Sequence, residues 1–169
     1  EKDTEKDNSE KEDTDNKVLK KGATFTDQKT RAKYRVTSAD SKKPSVEYVK
    51  TTNTKATSIT IPQKVEKAGV MYTVTAVADS AFKNNRKIQK VTIGNNVVTI
   101  GKYAFKGCTK LKKLSIGKNA TTIENQAFSG CTALTAVVIP EKVKKIGIQA
   151  FCGDKKLKTI TIKTKKLTA

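Results

Sequence analysis

Apolar positions recur along this chain at two intervals. Over residues 18–76 the interval is two. Lys33–Ser38 (KYRVTS) alternates polar and apolar side chains, Ala39–Pro44 (ADSKKP) has the chemistry of a turn, and Ser45–Thr51 (SVEYVKT) places Val46 and Tyr48 on one face. Alternation of this kind predicts half-buried strands. Ser58–Pro62 (SITIP) predicts a third strand, and Ala68-Gly69 lies between two β-rich runs as the turn of a hairpin.

From residue 77 the interval becomes 23. Ala-Phe falls at Ala81-Phe82, Ala104-Phe105, Ala127-Phe128 and Ala150-Phe151. Four further columns keep the same step: Val77, Ile100, Ile123, Ile146; Ile88, Leu111, Leu134, Leu157; Val91, Leu114, Val137, Ile160; and Ile93, Ile116, Ile139, Ile162. Val97, Ala120 and Val143 form a weaker one. Self-similarity at a step between about 20 and 50 residues predicts a stack of small supersecondary units. Each unit directs about six large side chains inward, on the order of 10 kcal/mol of burial at roughly 1.5–3 kcal/mol apiece. That does not cover the ordering of one unit alone, so neighbours must complete the burial.

Within a unit, Leu114-x-Ile116 has the spacing of a short strand, and Asn125–Phe128 predicts one helical turn that plants Phe128 in the core. Two residues after each Phe stands Asn84, Gly107, Gly130 or Gly153. Gly and Asn best tolerate left-handed backbone, so this column predicts a positive φ that ends the turn.

Composition narrows the chemistry. The chain has 169 residues, no His and no Trp. Without His, a Ser-His or Cys-His nucleophile is excluded. After Val77 the acids are Asp79, Glu124, Glu141 and Asp154, scattered among columns, with local capping as the role of Asp79 and Glu124. No catalytic residue, cofactor site or metal site is predicted. The three cysteines, Cys108, Cys131 and Cys152, form no C-x-x-C pair. Cys108 and Cys131 share a column and read as buried free thiols, and Cys152 as more exposed. No apolar run is long enough to span a bilayer, so no membrane insertion is expected.

Charge divides the chain. Residues 1–17 hold eight acids and four bases and no apolar side chain, which predicts a disordered charged linker or the start of a processed chain. No signal peptide is read in this sequence, and removal of one with upstream sequence is compatible with the charged start. The remainder carries 31 bases and eight acids, a net of +23, and three of those bases are Arg. Lysines of this kind keep a repeat stack soluble, block edge pairing and attract polyanions. Scarce Arg argues against specific nucleic-acid binding.

Alternation also selects the outward strand positions: Lys90, Thr92, Lys113, Ser115, Ala136, Val138, Thr159 and Thr161. Repeat stacks bind ligands on such a face, and these eight are the candidate ligand-binding residues. The plainer account is ordinary solvated strand.

The pattern L-x-x-L-x-I at a step of 23 resembles a leucine-rich repeat. The additions V-x-x-I and A-F-x-G-C resemble the BspA-like class found in bacterial surface proteins. The likeness covers residues 77–169, and Ser58–Val65 (SITIPQKV) resembles an earlier repeat interrupted by the hairpin. Two units depart from it: Lys83-Asn84-Asn85 in the first, and Cys152-Gly153-Asp154 in the fourth, which moves the Cys. The resemblance implies a mainly β fold with short helical turns. A leucine-rich repeat solenoid of about four repeats (77–169) would follow a β-rich N-terminal cap (18–76). It further implies a non-catalytic, extracellular or cell-surface module of the adhesion type, with a host or bacterial surface protein as its ligand. The alternatives are a wall-anchoring or targeting module of a larger enzyme, or a lysine-driven binder of anionic wall polymer. Lys163–Ala169 (KTKKLTA) stops short of a further Ala-Phe pair, which reads as a cut through a longer array in preference to a minimal cap made by Leu167 folding over the end.

Overall fold

The computed structural model describes residues 17–165 and 167; the charged segment expected to be disordered lies, up to residue 16, outside the described residues. Thirteen strands follow in chain order: β1 (Thr24–Asp27), β2 (Ala32–Ser38), β3 (Ser45–Thr51), β4 (Ser58–Ile61), β5 (Lys64–Lys67), β6 (Val70–Val77), β7 (Lys90–Ile93), β8 (Thr99–Ile100), β9 (Lys113–Ser115), β10 (Thr122–Ile123), β11 (Ala136–Ile139), β12 (Lys145–Ile146) and β13 (Thr159–Ile162).

The N-terminal strands form as the alternation requires. Ala32, Tyr34 and Val36 on β2 are buried beside Val46 and Tyr48 on β3, which pairs antiparallel with β2. Asp40 makes the intervening turn by accepting the Lys42 N–H at 2.9 Å. β5 and β6 form the expected hairpin, and both of its turn residues have positive φ, 48° at Ala68 and 73° at Gly69. Positive φ at both central positions is the geometry whose twist matches the flanking strands.

One sheet then runs in the order β1-β2-β3-β6-β8-β10-β12, with β5 beside β6. It joins the N-terminal strands to the repeats without a break. From β6 onward its pairing is parallel, and residues 23 apart are partners: Ile100↔Ile123↔Ile146. Two smaller parallel sheets, β4-β7-β9 and β11-β13, carry the other strand of each repeat.

The four phenylalanines lie in single file between these layers. Ring centroids are 4.9 Å apart from Phe82 to Phe105, 5.2 Å to Phe128 and 5.4 Å to Phe151, with planes within 10°. The file continues backward through Tyr48, Tyr34 and Phe25 at 5.4–5.6 Å. Stacked pairs of this separation add about 0.5–1.5 kcal/mol each beyond their burial.

Two expectations need correction. No helix occurs among the described residues, so the Asn125–Phe128 segment is not a helical turn. Gln126 has φ 53°, as do its column-mates Ser80, Tyr103 and Gln149 with φ 56–58°, and a helix cannot contain such a residue. The backbone N–H groups instead alternate. Those of Gln126, Phe128 and Gly130 reach the next repeat at Ile148, Ala150 and Cys152 O, while those of Ala127 and Ser129 close three-residue steps within the turn. The second correction concerns the last strand. Ile160 and Ile162 are 45% and 50% exposed, although their column-mates Val137 and Ile139 are buried. β13 pairs on one side only, with β11, and no described strand seals the other.

Positive φ is found at the Asn/Gly column, 60° at Asn84 and 74–78° at Gly107, Gly130 and Gly153. Cys108 and Cys131 are buried free thiols, donating to Phe82 O and Phe105 O at 3.2 and 3.3 Å, and Cys152 is exposed. Burial pushes the Cys108 thiol up to about 12 and the Cys131 thiol further in the same direction. Asp154 takes the place of these cysteines in the fourth repeat. Its Oδ1 accepts the Cys131 N–H at 2.7 Å, and its buried Oδ2 has no hydrogen-bond partner.

Candidate functional site

The outward positions of β7, β9, β11 and β13 fall into two pairs of strands. Lys90 stands opposite Lys113 and Thr92 opposite Ser115 on the β7–β9 ladder. Ala136 stands opposite Thr159 and Val138 opposite Thr161 on the β11–β13 ladder. Seven of the eight candidates are exposed, and Thr92 is half-buried. The structure therefore brings them together in two groups of four, and no ladder joins β9 to β11.

Pro140 stands at the edge of that break. In the same column, Gly94 donates its N–H to Ile61 O at 2.9 Å, and Lys163 donates to Ile139 O at 3.0 Å. Each ties the end of one strand to the preceding repeat. Pro140 has no N–H, so the corresponding bond to Ile116 O cannot form. Gly117 is also packed tightly in this column, where an added Cβ would lie 2.7 Å from the Gly94 carbonyl carbon.

A groove of about 580 Å³ opens where the ladder is missing. Its apolar lining comes from Leu114, Ile116, Val138 and Pro140. Leu114 and Ile116 belong to core columns, yet both are only partly buried, whereas Val91 and Ile93 in the preceding repeat are 1% and 2% exposed. The groove thus uncovers core side chains. Lys118, Lys142 and Lys163 stand around it with one acid, Glu141. Lys142 is held in place by donating to Asn119 Oδ1 at 2.8 Å. Of the predicted face, Ser115 and Val138 line this groove and the other six do not. The signal in the sequence was Pro140 standing where two earlier repeats have Gly.

A second cleft, about 350 Å³, gathers Glu47, Asp79 and Glu124 beside Arg35 and Lys102. Asp79 and Glu124 belong to different columns of the repeat, and Glu47 precedes the repeats. Each is engaged: Glu47 pairs with Arg35, Asp79 Oδ1 accepts the Lys102 N–H at 2.7 Å, and Glu124 lies 3.4 Å from Lys145 Nζ. Asp79 caps the neighbouring repeat, not its own turn. No group of three or more His, Cys, Asp or Glu side chains able to hold a metal occurs among the described residues. No described helix is long and apolar enough to cross a membrane.

Residues 75–169 match the BspA type leucine rich repeat region, in six copies. The fold is similar to that of a leucine-rich repeat protein from Bacteroides capillosus, with 24% identity and a TM-score of 0.71 over 82% of this chain and 97% of that one. It is similar to the pneumococcal vaccine antigen PcpA, at 26% identity and a TM-score of 0.73, covering 88% of this chain. A leucine rich cell surface protein from Faecalibacterium prausnitzii matches at 26% identity and a TM-score of 0.61 over 83% of this chain. The chain spans 40% and 42% of the length of these last two proteins. None of the curated proteins is significantly similar to it.

Proposed function

Because the chain belongs to the BspA-type leucine-rich repeat family, we propose that it is a non-catalytic, surface-displayed module that binds a protein ligand through its outward strand face. Residues 77–169 act as a repeat solenoid of step 23, and residues 18–76 as its β-rich cap. The observation that carries this reading is the face itself. Lys90, Lys113, Thr92 and Ser115 are held in register on paired parallel strands, so binding a ligand there costs little backbone ordering. The similarity to a bacterial cell surface protein supports the location outside the cell. The ligand on this reading is a host or bacterial surface protein.

The test is capture from surface extracts by the wild-type chain and by a variant with Lys90, Thr92, Lys113 and Ser115 changed together. Loss of the captured proteins is expected. Capture of the same proteins by the variant at the same yield rejects the face.

The lysine excess favours a second reading, binding of an anionic wall polymer. The chain from residue 18 carries a net charge of +23. Affinity for a polyanion falls steeply with added salt, whereas a shape-driven protein contact changes little. A salt titration of the captured complex separates the two.

A further inference from the structure

We propose that the groove between β9 and β11 is a docking site for an acidic polypeptide segment, one that carries an aliphatic side chain between carboxylates. The proposal deepens the protein-ligand reading above and rests on it. Three observations lead to it. First, no ladder joins β9 to β11 at the groove, and Pro140 at its edge has no N–H to give where Gly94 and Lys163 donate in the same column. Second, the opening uncovers Leu114 and Ile116, side chains of columns that are otherwise sealed in the interior repeats, and adds Val138 and Pro140. This floor gains from covering by an apolar group and offers nothing to a sugar or a bare phosphate chain. Third, the surround is three lysines against Glu141, a local net of +2.

Charge complementarity and the apolar floor together specify the occupant. A leucine-sized side chain fills the space between Leu114, Ile116, Val138 and Pro140. Carboxylates on either side reach Lys118, Lys142 and Lys163. At a partly exposed site the ion pairs set orientation and association rate, and the apolar contact supplies most of the discrimination.

The experiment uses the full chain and a fluorescein-labelled pentapeptide, a leucine flanked on each side by two glutamates. Fluorescence anisotropy should give a saturable isotherm. Affinity should fall at least tenfold when serine replaces the leucine, and at least tenfold for Val138→Glu, which sets a like charge on an already exposed position. Pro140→Gly removes a ring from the apolar floor and should weaken binding by a similar factor; circular dichroism and urea unfolding report that both variants are folded. Equal binding of the serine peptide, or undiminished binding by folded Val138→Glu, overturns the proposal. So does displacement of the peptide by inorganic polyphosphate that is as effective against Val138→Glu as against wild type, because the site is then a polyanion surface. Lys90, Thr92 and Lys113 lie outside the groove lining. A triple variant at these positions that loses surface-protein capture but keeps the peptide supports the groove. A Val138→Glu chain that loses the peptide yet keeps capture separates the groove's own affinity from the wider face.

Discussion

Replacing Asp154 by Asn should stabilise the protein near neutral pH and leave it almost unchanged in acid. Asp154 is 9% exposed, and its Oδ2 is buried without a partner. Burial pushes its carboxyl from 3.8 up to about 6, while the N–H groups of Cys131 and Gly130 pull it back. The folded state therefore holds this proton more tightly than the unfolded chain does. Through this group, stability is full below pH 3.8 and is lost as pH rises through 6. A shift of about 2 units corresponds to about 3 kcal/mol in full, of which about 2 kcal/mol falls between pH 4 and pH 7.5. Asn keeps the oxygen that accepts the Cys131 N–H and carries no charge. Urea unfolding of both proteins at pH 4 and pH 7.5 measures the double difference. The stability gained by Asp154→Asn should be larger at pH 7.5 by about 2 kcal/mol. If wild type and variant change in parallel between the two values, the buried carboxylate is not the cost assigned to it here.

Two further outcomes follow from the core. Phe128→Ala removes a ring that is stacked on both sides and should cost about 3–5 kcal/mol, read as a lower urea midpoint, whereas Phe151→Ala at the partly buried end of the file should cost less. In the native protein one thiol of three, Cys152, should react with an aromatic disulfide reagent, and all three should react in denaturant; rapid native labelling of Cys108 or Cys131 would contradict their burial.

The repeat was legible because one residue type recurs at one spacing and each recurrence meets its own copy. The columns of Phe, Ile and Leu named the buried set, and the outward positions followed by alternation. What stayed hidden depends on relations between repeats. Ser80, Tyr103, Gln126 and Gln149 share no preference for left-handed backbone, so their positive φ could not be read from residue type. It persists because each of the first three donates its N–H to the adjacent repeat. A local cap at Asp79 overlooks the neighbour 23 residues on, whose N–H its carboxylate accepts. Pro140 and Asp154 were visible as departures from their columns. Their surroundings, the edge of an unpaired strand and an orphaned carboxylate oxygen, become apparent only once the column-mates' hydrogen bonds are known. The exposure of Ile160 and Ile162 has the same origin, since a column position is sealed only when something stacks on it.

The parallel register has a consequence for how such a chain can change length. Ile100, Ile123 and Ile146 each meet their equivalent in the adjoining repeat. Splicing out residues 101–123 would therefore bring Ile146 against Ile100 with every side chain facing as before and the phenylalanine file one ring shorter. An excision one residue longer or shorter would turn the inward set of every later strand toward water. Gain and loss of whole units is thus a neutral path for this architecture, and single-residue slippage within a unit is not.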